Sequence, residues 1–292
     1  MRKIKVGIIQ QSNTADIKAN LMNLAKSIEA CAAHGAQLIV LQELHNSLYF
    51  CQTENTNLFD LAEPIPGPST GFYSELAAAN KVVLVTSLFE KRAPGLYHNT
   101  AVVFDRDGSI AGKYRKMHIP DDPAYYEKFY FTPGDTGFKV FETRFGTVGV
   151  GICWDQWFPE TARCMAVQGA EILLYPTAIG SEPILNVDSS GHWRRVMQGH
   201  AAANLIPVAA ANRIGTETVT PCEENGGQSS SLTFYGSSFI ADATGELVAS
   251  AGRDTEEILY ASFDLDALSE ERFSWGLFRD RRPETYRIMT KQ

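Results

Sequence analysis

Short apolar blocks separated by stretches of helical spacing predict the elements of the first third of the chain. Lys3–Gln10 (KIKVGIIQ) reads as a strand, because its apolar run is brief and β-branched. Ile17, Leu21, Leu24 and Ile28 then recur at four- and three-residue steps behind Asp16, the pattern of a helix whose first turn an aspartate caps. Gln37–Leu44 (QLIVLQEL) and Val82–Glu90 (VVLVTSLFE) read as further strands, with a Ser69-capped helix running to Asn80 between them. Strands alternating with helices predict parallel pairs covered by helices.

The middle of the chain changes character. HNTAVVFD and SIAGKYRK flank the turn Arg106-Asp107-Gly108, and KVFETRF and TVGVGIC flank Gly146, so both pairs read as hairpins. Pro159 and Gly169 frame a short helix ahead of the strand EILLYPTA. Trp193, Val196, Met197, His200 and Ala201 mark one face of another helix, after which IPVAAANRIG returns to strand. A last hairpin turns at Asp242–Gly245, and Pro221–Ser231 (PCEENGGQSSS) is the best loop candidate. No Pro/Gly-rich linker and no repeat divides the chain. The pattern predicts a mixed α/β fold with more than one sheet, a single domain over 1–292 with a C-terminal tail at 270–292.

Composition narrows the function classes. A formal net charge of −8 disfavours nucleic acid and anionic membrane as partners. Hydrophobic residues make up 44% of the chain, with 16 Phe and 11 Tyr, enough for a large core and against disorder. No run of about 18 apolar residues predicts a membrane span, and no leader segment is evident. The five cysteines are scattered and form no CxxC pair, so neither a disulfide framework nor a metal site is signalled and a reducing cytoplasm is expected.

Three residues carry candidate chemistry by position. Cys153 ends the apolar run TVGVGIC after Gly149 and Gly151, where a sulfur can emerge beside the N–H groups of a following turn; otherwise it is a buried small apolar residue. Glu43 ends LIVLQE at the edge where α/β sheets place ligands, unless it is a solvated strand end. Lys116 follows the strand SIAGKYRK and could equally sit on a solvated basic face. Among the six histidines, His200 reads as core, His118 as a possible support for Lys116, and His34 and His192 as surface. No HExxH pair and no glycine-rich phosphate loop is present.

Taken together, QELHNSLYF (Gln42–Phe50), YRKMHIP (Tyr114–Pro120) and GICWDQWFPE (Gly151–Glu160) resemble the three catalytic motifs of the nitrilase superfamily, which supply Glu, Lys and Cys in that order. The wording of DDPAYYEKFYFTPGD and YPTAIGSEP is similar to the N-carbamoylputrescine amidohydrolases within it. The resemblance implies a four-layer α-β-β-α sandwich and homo-oligomers, with FSWGLFRDRRPETY as either an interface segment or a packed strap. It implies Glu43 as general base, Cys153 as nucleophile and Lys116 as the cation that favours the thiolate and stabilises an oxyanion with the Trp154 N–H. Glu127 in YYEKFYF matches a second glutamate that orients Lys116 or the substrate, unless it forms an ordinary salt bridge.

The implied substrate is a small carbamoylated amine, with no cofactor. An ammonium end calls for acids or aromatics, so Glu182 in IGSEP is the candidate for the cation, and Tyr49 and Trp154 for the walls of a methylene channel. Asp121 and Asp122 read as a solvated turn before Pro123. Two alternatives stay open: an amidohydrolase of carbamoyl-β-alanine or an ω-amide, and a catalytically silent binding module.

Overall fold

In the computed structural model, which describes residues 2–181 and 187–291, strand residues divide between two faces by parity. In β1 (Lys3–Gln10), Ile4, Val6 and Ile8 point to one core and Ile9 to another. α1 (Ile17–Ala33) starts where Asp16 accepts the Ala19 N–H at 3.0 Å. β2 (Leu38–Val40) is shorter than its apolar run, because the chain leaves the sheet after Leu41 and turns through Leu44 at φ +47°. α2 (Pro68–Asn80) is not capped by Ser69. Pro68 takes the first helical position, where its missing N–H costs nothing, Gly67 precedes it, and Ser69 donates to Glu63 instead. β3 (Val83–Ala93), β4 (Leu96–Phe104) and β5 (Ile110–Arg115) then form an antiparallel meander.

The second half follows with α3 (Glu127–Tyr130), β6 (Val140–Thr143), β7 (Gly146–Val150), α4 (Pro159–Val167), β8 (Ile172–Pro176), α5 (Ser190–Asn204) and β9 (Val208–Ala211). After these come β10 (Ile214–Val219), β11 (Ser230–Tyr235), β12 (Phe239–Ala241), β13 (Leu247–Ser250), β14 (Glu257–Asp264) and α6 (Leu265–Trp275). The sequence pattern left β10, β11, β14 and α6 unassigned. The first sheet has the order β14-β1-β2-β3-β4-β5 and the second β13-β12-β9-β8-β7-β6, while β10 and β11 form a separate ribbon. β1, β2 and β3 are parallel, as are β7, β8 and β9.

Three cores follow from that order. Val6, Val40 and Val85 of the first sheet meet Val150, Leu174 and Ala209 of the second. On the outer faces, Leu24 and Ile28 of α1 and Tyr73 of α2 cover Ile39 and Leu84, while Met165 of α4 and Trp193 and Met197 of α5 cover Leu173 and Val208. Burying each such aliphatic side chain is worth about 1.5–3 kcal/mol. The result is a four-layer α-β-β-α sandwich. Phe273 and Trp275 at the end of α6 stay 75% and 69% exposed. Among the described residues no helix is long and apolar enough to cross a membrane.

Candidate active site

Three strand ends deliver the candidate residues to one place. β5 runs the same way as β3, so Lys116 leaves the first sheet at the same edge as Glu43 beyond β2. The Glu43 N–H donates to the Thr177 carbonyl just past β8 at 3.2 Å, which ties that edge to the second sheet. Lys116 is held from both sides: its N–H donates to the Asn99 carbonyl (2.9 Å) and its carbonyl accepts from the Gly134 N–H (2.8 Å). Only glycine allows this approach, since a Cβ on Gly134 would sit 2.1 Å from the Arg115 carbonyl oxygen. Cys153 opens a 3-10 turn (Cys153–Trp157) beyond β7 with φ +43°, a left-handed conformation that a side chain adopts only when its surroundings impose it.

Lys116, Glu43 and Glu127 form one buried cluster. The Lys116 Nζ donates to Glu43 Oε1 at 2.8 Å and to Glu127 Oε2 at 2.6 Å. Glu127 Oε1 accepts the Tyr49 hydroxyl (2.7 Å), and Glu43 Oε1 accepts Asn99 Nδ2 (2.7 Å). Glu43 Oε2 is buried and has no partner among the described residues, a costly arrangement unless another group uses it. The Cys153 Sγ lies 3.8 Å from the Ala178 carbonyl.

The charges act on one another. Burial is the strongest single influence on Lys116 and pulls it down, but Glu127 and Glu43 outweigh it and hold the ammonium well above lysine's usual value. Burial raises the Glu127 carboxyl to about 7, with Lys116 opposing and Glu43 adding. Burial, reinforced by Glu43 and opposed by Lys116, pushes the Cys153 thiol well above its ordinary value. Burial thus favours the thiol form of Cys153, while Lys116 favours the thiolate as the sequence suggests.

Of the groups that surround the site, the sequence pointed only to His118. The Asp155 carboxylate accepts the Ile152 N–H (3.0 Å) and the Tyr114 hydroxyl (2.8 Å) on one oxygen, and the His118 N–H (3.0 Å) and Nδ1–H (2.8 Å) on the other. It thereby joins the segment before Cys153 to the one after Lys116. Buried Arg213 donates to the Glu43 and Leu44 carbonyls at 2.7 and 3.0 Å and pairs with Glu217, which accepts the Tyr49 N–H. Glu90 takes a bidentate Arg115 and also Lys113; burial works against its charge, but these donors hold its carboxyl down at about 2. The only sequence signal for Asp155 was its place inside the cysteine motif.

The substrate-binding candidates fare differently. Tyr49 is wholly buried, and its hydroxyl is committed to Glu127. Trp154 is half-buried, its ring 6.2 Å from that of Trp157. Glu182 lies outside the described residues. Asp121 and Asp122 are exposed in a turn. His200 is buried against the Tyr175 hydroxyl (3.0 Å), and His34 and His192 are exposed.

The chain belongs to the carbon-nitrogen hydrolases, the family whose sequence model matches residues 5–273. It is a hydrolase of carbon-nitrogen bonds. An N-carbamoylputrescine amidase of Solanum lycopersicum is 50% identical over 290 residues, 99% of this chain and 95% of its own length. A citrullinase of Francisella tularensis is 52% identical over 288 residues, 98% of each chain. The solved structure of a carbon-nitrogen hydrolase from Helicobacter pylori G27 superposes with a TM-score of 0.91 at 47% identity over 99% of both chains.

Proposed function

We propose that the chain hydrolyses N-carbamoylputrescine to putrescine, carbon dioxide and ammonia, a step that feeds polyamine biosynthesis. The likeness to an N-carbamoylputrescine amidase supports the substrate, and the chemistry is supported by the buried Glu43 Oε2, unpartnered among the described residues, in a cluster with Lys116 whose charges act on the Cys153 thiol. Glu43 takes the Cys153 proton as Sγ attacks the ureido carbon. The tetrahedral oxyanion is stabilised by the Lys116 ammonium and the Trp154 N–H; one such donor is typically worth about 2.7–4 kcal/mol. The C–N bond to the terminal nitrogen breaks, Glu43 returns the proton, and ammonia leaves a thiocarbamate on Cys153. Glu43 then deprotonates a water that attacks this carbonyl, releasing the thiol and a carbamic acid that decomposes to the amine and carbon dioxide. Water is the only co-reactant.

Glu127 orients Lys116, Glu182 meets the substrate ammonium, and Tyr49 and Trp154 flank the methylenes. The protein works in the cytoplasm, and as a homo-oligomer; the exposed Phe273 and Trp275 support the second of these. A second reading, hydrolysis of citrulline, is favoured by the citrullinase relative, because citrulline carries the same terminal ureido group with an α-amino acid at its far end.

Ammonia release from N-carbamoylputrescine, citrulline and N-carbamoyl-β-alanine separates the readings. The first substrate should be preferred, and Glu182→Gln should lower its rate selectively. Faster release from citrulline would transfer the assignment. Cys153→Ala should remain folded and release no ammonia; retained turnover would exclude this mechanism.

A further inference from the structure

Asn99 lies on β4, between the strand that carries Ser87 and the strand that leads into Lys116. It is completely buried, and its neighbours determine which way its amide faces. A carboxylate oxygen can only accept, so Nδ2 faces Glu43 Oε1 at 2.7 Å. Oδ1 in turn accepts the Ser87 hydroxyl at 2.9 Å. Ser87 also accepts the Leu44 N–H (3.3 Å), and its own N–H donates to His45 Nε2 (3.3 Å). The amide is thus locked to the segment that carries Glu43, while the Asn99 carbonyl accepts the Lys116 N–H.

We propose that Asn99 is a positioning residue that, with Lys116, saturates Glu43 Oε1 and so dedicates Oε2 to proton transfer with Cys153. Two donors converge on one oxygen and, among the described residues, none on the other. A freely rotating carboxylate would share its donors between both oxygens and present no fixed acceptor. The inference rests on Glu43 being the base, but not on which ureido compound is hydrolysed. Among the described residues, the other charged or titratable groups around Glu43 are Lys116, Glu127, Cys153, Tyr49, Cys51, His45 and Arg213.

The test is the pH dependence of two reactions in Asn99→Leu and Ser87→Ala. One is kcat/KM for ammonia release; the other is iodoacetamide alkylation of Cys153, followed on its own peptide because Cys222 is exposed. A misplaced base costs up to about 100-fold in rate. Asn99→Leu should lower kcat by about 10- to 100-fold with little change in KM. It should also move the acid limb of both profiles up by about one pH unit, as expected for a carboxylate that has lost a donor. Ser87→Ala should shift both the same way by less, and it decides the matter if Asn99→Leu does not fold. A folded Asn99→Leu whose rate falls while both acid limbs stay in place would overturn the proposal and leave a purely structural role. If the wild-type protein releases no ammonia from any carbamoylated amine while the alkylation profile shifts as described, the substrate reading fails and the role of Asn99 stands.

Discussion

Asp155 stands two residues beyond Cys153, and four donors converge on its buried carboxylate. Two of them are the backbone N–H groups of Ile152 and His118, which cannot turn elsewhere for a partner without moving the chain. Asp155 therefore helps hold Cys153 at φ +43°, since Ile152 is the residue that sets the turn's entry. Asp155→Ala should strand the buried Ile152 N–H and Tyr114 hydroxyl, at about 1–3 kcal/mol for each left unpaired, while water can reach the part-buried His118, so a loss of about 2 kcal/mol or more is expected from urea unfolding. Asp155→Asn keeps the volume but turns an N–H₂ toward donors. It should recover part of the stability while ammonia release stays impaired. Full activity in Asp155→Asn would show that the turn is held without the carboxylate.

At the scale of elements, strand and helix pack through single atoms. Gly7 of β1 faces α1, where an added Cβ would fall 2.2 Å from the Cys31 Sγ and 3.2 Å from the Ala36 Cβ. Gly7→Ala should cost about 1–3 kcal/mol by overpacking, and Cys31→Ala in the same chain should return part of it. The check is a double-mutant cycle by urea unfolding; additive losses would mean that the strand and helix simply move apart. This layer of structure was readable in the sequence wherever periodicity reports burial. β1 and α1 occupy the stretches that Ile4 to Ile9 and Ile17 to Ile28 mark out. β14 was not readable, because an edge strand paired on one side with β1 mixes Glu257, Tyr260 and Ser262 into its apolar positions. Glu43, Lys116, Glu127 and Cys153 stand out only through segments that together resemble a family's motifs, since position alone leaves each open to a structural reading. Arg213 and Asn99 do not stand out, because they act across 170 and 56 residues of chain on Glu43, and no local pattern encodes such a contact.

For the molecule as a whole, buried titratable groups of opposite sign set the response to acid. Burial lowers His45 to about 3, with the Arg213 charge adding to it, and lowers His200 to about 4. Both stay neutral in the folded protein while the unfolded chain takes up protons below about 6.5, so their contribution is present above that pH and lost as pH falls toward 4. Glu127 works the other way: burial raises it to about 7, so the folded state holds a proton that the unfolded chain releases above about 4.5. Its contribution is complete below that pH and lost as pH rises through 7. Burial lowers His98 as well, so between pH 6.5 and 4.5 the unfolded state gains protons on three histidines against the one that Glu127 already holds in the fold. The net exceeds one proton, and stability should fall by more than about 1.4 kcal/mol per pH unit. Urea unfolding at pH 6.5, 5.5 and 4.5 reads this slope directly. Glu127→Gln removes the opposing contribution and should steepen the slope, whereas His200→Gln should make it shallower. Identical slopes in all three proteins would mean that these buried groups do not govern the acid response.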